Sequence, residues 1–179
     1  EKVQERRNLF YRQDEIRTKS FAANLDQVLI LIAAEPVFSE SQLARALIAA
    51  EAAHIQPLIA LNKTDLVEPF ARAWERLLPY RRMADTSGQH HYGVLALSRS
   101  GKSTLINLLV PGATVLTGEI SQALNSGKHT TTSTALYWVD AERTTALIDS
   151  PGFQEFGLQH IAPTQLAGCM PDIAAHATA

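Results

Sequence analysis

Uninterrupted apolar runs recur along the chain and alternate with segments of helical periodicity. Such runs are typical of parallel strands that are buried on both faces. We predict strands over Val28–Ala33, Pro57–Leu61, Tyr92–Leu97, Leu136–Val139 and Thr144–Ile148. The intervening periodicity predicts helices from Ser39 to about His54, from Pro69 to about Arg82 and from Lys102 to Val110. Strands that alternate with helices indicate an α/β fold with a mostly parallel sheet.

The segment Ser98–Thr104 lies between a predicted strand and a predicted helix. Its core, Gly101-Lys102-Ser103, is that of a phosphate-binding loop, in which backbone N–H groups and the helix N-terminus face a polyphosphate. Lys102 is expected to reach the β- and γ-phosphates, and the Ser103 hydroxyl is expected to bind Mg²⁺. The nucleotide-binding residues predicted alongside them are Ser100, Gly101 and Thr104. Alone, the tripeptide also fits a surface turn with a solvated lysine.

Two further motifs follow predicted strands. Asp149-Ser150-Pro151-Gly152 has the D-x-x-G form, which places the carboxylate of Asp149 near Mg²⁺ and the N–H of Gly152 near the γ-phosphate. Asn62-Lys63-Thr64-Asp65 has the N-K-x-D form that reads guanine. Its aspartate accepts both N1–H and the exocyclic amine of guanine, and adenine offers neither donor. Lys63 is expected to pack its stem along the nucleotide. Three motifs, each at a strand end, favour a GTPase.

The order of the motifs is unusual. An ordinary GTPase has the phosphate loop first and N-K-x-D last, but here N-K-x-D comes first and D-x-x-G closes the series. The order indicates a circularly permuted P-loop GTPase core. With the segments Asn8–Arg12, Ala22–Val28, Gly127–Thr132 and Asp149–Leu158, the chain resembles the RsgA (YjeQ-type) family of circularly permuted, ribosome-dependent GTPases over most of positions 6–175.

The resemblance implies the hydrolysis of GTP to GDP and phosphate with Mg²⁺. It also implies a partner, the small ribosomal subunit with its rRNA, and a cytoplasmic role in late maturation of that subunit. Family members carry an oligonucleotide-binding barrel before this core and a Cys/His zinc module after it. We therefore expect residues 1–20 to be a linker from such a barrel, 21–160 to be the permuted GTPase domain, and 161–179 to start a truncated C-terminal region. Zinc is expected only in a full-length member.

Composition narrows the class of protein. A chain of 179 residues with 46% hydrophobic and 19% charged residues is typical of one globular domain rather than a disordered segment. The formal charge of −2 gives no global attraction to RNA, so any RNA contact must be local. One cysteine, Cys169, excludes an internal disulfide and a multi-cysteine zinc site. No apolar run approaches the length that spans a bilayer, about 20 residues, so we expect no membrane partner.

The first 20 residues carry a local excess of positive charge. Six Lys and Arg residues stand against four acids, and Phe10 and Tyr11 lie among them. Basic residues interleaved with aromatic ones bind RNA through phosphate contacts and stacking. The same composition also fits a solvated arm, and both interpretations stay open.

The chain departs from the GTPase pattern between its first two motifs. Only 36 positions separate Asp65 from Gly101, which leaves room for one helix and one strand, although two strands are needed. The strand Tyr92–Leu97 resembles the guanine-contact strand, with Ser98 in its loop, so we predict that a helix and a strand are missing between about Ser98 and Arg99. Ala96 stands where the first glycine of the phosphate loop belongs. The competing interpretation is one continuous strand with a degenerate phosphate loop that binds phosphate poorly, since a Cβ obstructs the tight turn.

The group that orients the attacking water must also differ from that of many GTPases. Phe153 follows D-x-x-G where a glutamine is common, and a phenyl ring cannot polarise water. The resemblance points to His129 in the first switch, a region expected over residues 114–133, and Gln154 is the second choice. One of Thr130, Thr131 or Thr132 is expected to bind Mg²⁺, with Thr131 assigned here. The alternative function is a guanine-nucleotide-binding module in ribosome assembly that does not hydrolyse GTP.

Overall fold

A computed structural model of the chain describes residues 5–86, 93–98, 101–113, 134–150 and 156–174. The chain divides into two compact units. The first combines residues 1–98 with residues 155–179, and the second consists of residues 99–154. The first unit is therefore discontinuous in sequence, with the second inserted into it.

The first unit contains a parallel sheet of three strands. They are β3 (Gln27–Ala33), β4 (Gln56–Asn62) and β5 (Gly93–Ala96), in the spatial order β3-β4-β5. Val28 lies opposite Pro57, and Leu58 lies opposite Gly93. The strand predictions for this region are confirmed to within a residue or two. Ile59, Ala60 and Leu61 of the central strand β4 are fully buried, as a strand covered on both faces requires.

One property of β3 differs from the prediction. We expected the whole run Val28–Ala33 to be buried on both faces, but Ile30, at 7% exposed, is its one buried residue, and the others are half-buried. The physical reason is the position of β3, which has β4 on one side and no other described strand on the opposite side.

Helix α1 (Glu40–Ala52) connects β3 to β4 and begins as predicted. The Ser39 hydroxyl accepts a hydrogen bond from the Gln42 N–H at 3.3 Å, which satisfies one of the free donors at the helix start. One face of this helix is apolar and packs into the core, with Leu43, Leu47 and Ala50 all buried.

The predicted single helix from Pro69 to Arg82 is wrong. The structure has two helices, α2 (Val67–Arg76) and α3 (Leu78–Thr86), and they meet at the fully buried Leu77. Pro79 explains the break, because a proline has no N–H for the preceding turn and is accommodated in the first turn of a new helix.

The N-terminal segment forms an antiparallel hairpin of β1 (Leu9–Gln13) and β2 (Thr18–Ala23). Residues 9–20, which we predicted as part of a linker, are therefore structured. At the hairpin turn, Asp14 Oδ1 accepts hydrogen bonds from Ile16 N at 3.0 Å and Arg17 N at 2.8 Å. These two bonds, helped by the nearby Arg12 and Arg17 charges, lower the pKa of Asp14.

The hairpin packs against residues from the far end of the sequence. The buried Phe10 lies 5.5 Å from Phe21 and 5.7 Å from Phe156, measured between ring centroids. Gln13 N donates to the Gly157 carbonyl at 3.1 Å, and Gln159 N donates to the Gln13 carbonyl at 3.0 Å. Residues 156–159 thus fix the hairpin to the first unit.

The second unit contains helix α4 (Lys102–Leu109) and an antiparallel pair, β6 (Ala135–Trp138) and β7 (Ala146–Asp149). These elements confirm the predicted helix and the two predicted strands. Asp140 closes the turn between the strands by accepting from Thr144 N at 2.7 Å and Thr145 N at 2.6 Å. The hydrogen bond from Thr144, followed by that from Thr145, lowers the pKa of Asp140.

After residue 160 the first unit ends in short elements. The helix Pro163–Leu166, the 3₁₀ turn Ala167–Cys169 and the helix Pro171–Ala174 follow one another. Across the ranges that the structure covers, no helix is long and apolar enough to cross a membrane.

Candidate nucleotide-binding site

The guanine-recognition motif lies at the carboxyl end of β4, in the first unit. Asn62 is the last residue of that strand and is 7% exposed. Its Oδ1 accepts a hydrogen bond from Lys63 N at 2.7 Å, and Lys63 has a left-handed backbone with φ of +63°. The turn leaves Asp65 at the surface. An exposed carboxylate directly after a buried strand suits the recognition of a base at the sheet edge.

The motif is also fixed to the end of β5. Leu97 N donates to the Leu61 carbonyl at 2.8 Å, and Thr64 N donates to the Leu97 carbonyl at 3.2 Å. Ser98, predicted to contact guanine, is exposed and immediately follows this anchor. The structure therefore brings the N-K-x-D turn and the start of the predicted guanine-contact loop together. Sequence reasoning missed the role of Leu97, because a backbone contact between distant segments has no local sequence signal.

The predicted phosphate-binding residues lie in the second unit, at the start of α4. Gly101 is the N-cap residue, and Lys102 begins the helix. Lys102 Nζ lies 2.9 Å from Asp149 Oδ1 and donates to the Ser150 carbonyl at 2.7 Å. The lysine of the phosphate loop and the aspartate of D-x-x-G, which are 47 positions apart, therefore meet. The Ser150 carbonyl is a further partner that the sequence did not indicate.

The chemistry of Asp149 fits a divalent cation. Its side chain is 5% exposed, and Oδ1 forms an ion pair with Lys102 at 2.9 Å. A buried carboxylate is costly unless a cation compensates its charge, and without a nucleotide the Lys102 ammonium group does so. Mg²⁺ takes one or two oxygen ligands from a protein and the rest from water and phosphate. Ser103, half-buried in the first turn of α4, would supply a hydroxyl oxygen.

The remaining predicted site residues divide between described and undescribed parts of the chain. Thr104 is half-buried in the first turn of α4. Ser100, Gly152, His129 and Thr131 lie outside the described residues, as do Thr130, Thr132 and Gln154. Among the residues that the structure does describe, no three His, Cys, Asp or Glu side chains form a metal-binding group. A magnesium site built from one carboxylate, hydroxyls and phosphate is not a cluster of that kind.

Comparison with known proteins identifies the family. The sequence profile of the RsgA GTPase family matches residues 3–99 and residues 88–159, so residues 88–99 fall in both matched ranges. The chain belongs to the RsgA GTPase family. The crystal structure of YloQ, a circularly permuted GTPase, is similar to this chain with a TM-score of 0.60 and 25% identity, and covers 97% of this chain and 58% of that one. YjeQ from Thermotoga maritima has a TM-score of 0.54 and 25% identity, over 94% of this chain and 60% of that one. These two structural similarities confirm the predicted α/β fold with circularly permuted motif order.

Two curated relatives carry the description "Small ribosomal subunit biogenesis GTPase RsgA". The protein from Variovorax paradoxus (strain S110) is 71% identical over 197 residues, covering 99% of this chain and 62% of the relative. The protein from Paraburkholderia xenovorans (strain LB400) is 49% identical over 193 residues, covering 95% of this chain and 61% of the relative. The chain thus spans about three fifths of the length of these RsgA relatives.

Proposed function

We propose that this chain binds GTP with Mg²⁺, hydrolyses it to GDP and phosphate, and acts in the cytoplasm in late maturation of the small ribosomal subunit. The observation that carries the proposal is the meeting of Lys102 and Asp149, because it joins two of the three nucleotide motifs at the start of one helix. Membership of the RsgA family and the descriptions of the relatives support the ribosomal role.

Each motif has a distinct task in this proposal. Asp65 reads the guanine base, with Asn62 holding the turn, Lys63 lying along the nucleotide and Ser98 closing the base pocket. The loop residues Ser100, Gly101 and Thr104 surround the phosphates, and Lys102 neutralises their charge. Mg²⁺, when bound, offsets negative charge on the phosphates, and Ser103, Thr131 and Asp149 would hold it. Gly152 would offer its N–H to the γ-phosphate.

Water activation is assigned to the first switch. Phe153 cannot orient the attacking water, whereas a neutral imidazole at His129 can accept its proton or hold it by a hydrogen bond. Gln154 is the alternative group. When the water-orienting group lies on a switch, GTP hydrolysis is expected to be slow in the protein alone and faster when a partner orders that switch. The small ribosomal subunit is the proposed partner.

The hairpin is the proposed rRNA contact in the first unit. Arg12 of β1 lies directly opposite Lys19 of β2, and Arg17 follows the turn. Cross-strand pairing thus places two positive charges at opposite positions of the hairpin. Phosphate groups of RNA have the charge that this pair attracts.

GTP hydrolysis with and without purified small ribosomal subunits tests the proposal. We expect slow phosphate release from the chain alone, stimulation by subunits, and loss of that stimulation in His129→Ala. His54→Asn is the matched control, because His54 is exposed at the end of α1, its left-handed φ of +55° suits asparagine, and it lies outside the motifs. The control should retain full stimulation. Absence of phosphate release under every condition would contradict the proposal.

The second candidate is a nucleotide-binding module without hydrolysis. It is favoured by Ala96, which stands five positions before Gly101 where the loop pattern has glycine. GDP and GTP binding with no turnover, even with subunits present, would support this alternative.

A further inference from the structure

Residues 156–160 bind the end of β1 through their backbone. Gln13, the last residue of that strand, donates its N–H to the Gly157 carbonyl at 3.1 Å, and its carbonyl accepts from Gln159 N at 3.0 Å. These two bonds make Gln13 the parallel bridge partner of Leu158. Paired backbone bonds fix the register of the two segments. We call residues 156–160 and their hairpin contacts the clasp; those contacts are Phe10, Tyr11, Gln13 and Phe21.

An aromatic cluster lies at the start of the clasp. Phe156 is fully buried, and its ring centroid lies 5.7 Å from that of Phe10 and 6.0 Å from that of Phe21. The two hairpin rings are themselves 5.5 Å apart. Aromatic rings at such distances attract each other in addition to the stabilisation that burial provides. The position of Phe156 is therefore set by two residues of the N-terminal hairpin.

Close packing at Gly157 prevents the clasp from sliding. A Cβ at this position would lie 2.8 Å from the carbonyl carbon of Gln13 and 2.9 Å from Asp14 Cα. Both neighbours are backbone atoms, which cannot move aside as the end of a flexible side chain can. Three residues later, the ring centroid of His160 lies 4.1 Å from that of Tyr11. The clasp is thus fixed at both of its ends.

The clasp begins shortly after the D-x-x-G motif. Only residues 153–155 separate Gly152 from Phe156, and a chain advances at most about 3.6 Å per residue. A fixed Phe156 therefore restricts the positions that Gly152 can reach. In the proposed site the Gly152 N–H meets the γ-phosphate, which GTP has and GDP lacks. The clasp consequently acts on a contact that GTP makes and GDP cannot make.

The start of the D-x-x-G motif is held in a different way. Lys102 Nζ pairs with Asp149 Oδ1 at 2.9 Å and donates to the Ser150 carbonyl at 2.7 Å. When a nucleotide binds, its phosphates attract Lys102 and Mg²⁺ attracts Asp149. This attachment therefore changes with the nucleotide. The described contacts of the clasp use none of the groups assigned to nucleotide binding, so they persist when the nucleotide changes.

We propose that the clasp positions the D-x-x-G motif for γ-phosphate recognition. Phe156, held between Phe10 and Phe21, keeps Gly152 within reach of the γ-phosphate, so the N-terminal hairpin sets the preference of the site for GTP over GDP. Phe156 and its two partners are positioning residues, because they act through Gly152. The inference rests on the proposed nucleotide site but not on hydrolysis.

Nucleotide binding by variants of the full chain tests the proposal. Phe10→Leu and Phe156→Leu each remove one ring from the cluster and keep an apolar side chain. The affinities for GDP and for the β,γ-imido analogue of GTP are measured with Mg²⁺ by calorimetry. We expect the preference for the analogue to fall at least about fivefold in both variants, with GDP affinity changed less than about twofold. A general loss of stability would weaken the binding of both nucleotides together.

Leu47→Ala is the matched control. Leu47 is fully buried in α1, outside the clasp and the nucleotide motifs, so this variant loses core packing without loosening Phe156. It should keep the nucleotide preference of the unmodified chain. If a clasp variant does not fold, hydrogen exchange in the unmodified chain replaces it. The GTP analogue should then slow exchange at the Gln13 and Gln159 amides at least about fivefold more than GDP does, because coupling between two sites is reciprocal.

The outcomes separate this inference from the proposed function. A reduced preference in both clasp variants, without phosphate release from the unmodified chain, would support the clasp and contradict hydrolysis. An unchanged preference in Phe10→Leu and Phe156→Leu, or equal protection of Gln13 and Gln159 by the two nucleotides, would overturn the clasp even where GTP is hydrolysed. An unmodified chain that binds GDP and the analogue equally well would also overturn it, and one that binds neither would overturn both proposals.

Discussion

Lys102 Nζ lies 2.9 Å from the buried Oδ1 of Asp149, so the cation assigned to the phosphates is paired with the carboxylate assigned to Mg²⁺. Each group compensates the other's charge in the absence of a nucleotide. A nucleotide with its metal ion offers both of them stronger partners, since phosphate attracts the ammonium group and Mg²⁺ attracts the carboxylate. Binding therefore exchanges one ion pair for two interactions, and the two side chains should respond differently to substitution.

Lys102→Gln should weaken GDP binding about 10- to 100-fold, because it removes a charge-assisted contact of about 1.5–3 kcal/mol. Without Mg²⁺, Asp149→Asn should bind GDP as tightly as the native chain or more tightly, because the substitution releases Lys102. It should also abolish the gain in GDP affinity that Mg²⁺ confers. Calorimetric titration with and without Mg²⁺ measures both. Equal Mg²⁺ dependence in the native chain and Asp149→Asn would contradict the assignment of Asp149.

Asp65→Asn should exchange guanine specificity for xanthine specificity. The carboxylate accepts two hydrogen bonds from guanine, whereas an asparagine amide can donate to the C2 carbonyl of xanthine. We expect GDP affinity to fall by at least about 100-fold and xanthosine diphosphate to bind more tightly than GDP. Asp65→Ala is the control, because it should lose affinity for GDP without gaining affinity for xanthosine diphosphate. Unchanged GDP affinity in both variants would show that this turn does not contact the base.

Gly157→Ala should destabilise the first unit by about 1–3 kcal/mol. A Cβ at this position would overlap the Gln13 carbonyl oxygen and lie 2.9 Å from Asp14 Cα, and both neighbours are backbone atoms. Gly168→Ala is the matched control, because a Cβ there meets nothing within 4 Å. Denaturant unfolding of both variants measures the difference. Equal midpoints would mean that the contact between the hairpin and residues 156–159 contributes little.

Stability should fall as the pH drops below about 6.5, through the behaviour of His160. Burial lowers the pKa of His160, and Nδ1 has no hydrogen-bond partner. A histidine with a lowered folded-state pKa binds its proton more readily when unfolded, so the folded state loses stability as pH falls through the unfolded value. His160→Phe should reduce the dependence of stability on pH. The phenyl ring would still pack against Tyr11, whose ring centroid lies 4.1 Å from that of His160. Thermal melts between pH 5 and pH 8 compare the two proteins, and identical slopes would exclude a role for His160.

The sequence predicts an element correctly where interactions between neighbouring residues determine its structure. Ser39 before an apolar periodic run correctly predicts the start of α1, and the run Pro57–Leu61 correctly predicts the central strand. Pro79 marks the break between α2 and α3, but the apolar periodicity continues across it, so periodicity alone predicts one helix. The aromatic residues among charges left RNA contact and a solvated arm both open, and neither interpretation predicts that Phe10 packs against Phe156.

The remaining features depend on contacts between distant residues. Neither the bond from Thr64 to the Leu97 carbonyl nor the bond from Lys102 to the Ser150 carbonyl has a pattern in its own neighbourhood. Such pairings are set by strand order and register, which composition and periodicity do not encode. The half-exposed β3 is the opposite case, because its sequence specifies burial that the described sheet does not supply.

The pairing of Gln13 with Gly157 and Gln159 has a consequence for synthesis of the chain on the ribosome. Domains form as their residues emerge, N-terminal part first, but these bonds join residues separated by more than 140 positions. The hairpin must therefore wait, with Phe10 and Phe21 lacking their third aromatic partner, until residues 156–159 have been made. Contacts of such long range form slowly, and the nascent chain is open to aggregation or chaperone capture during that interval.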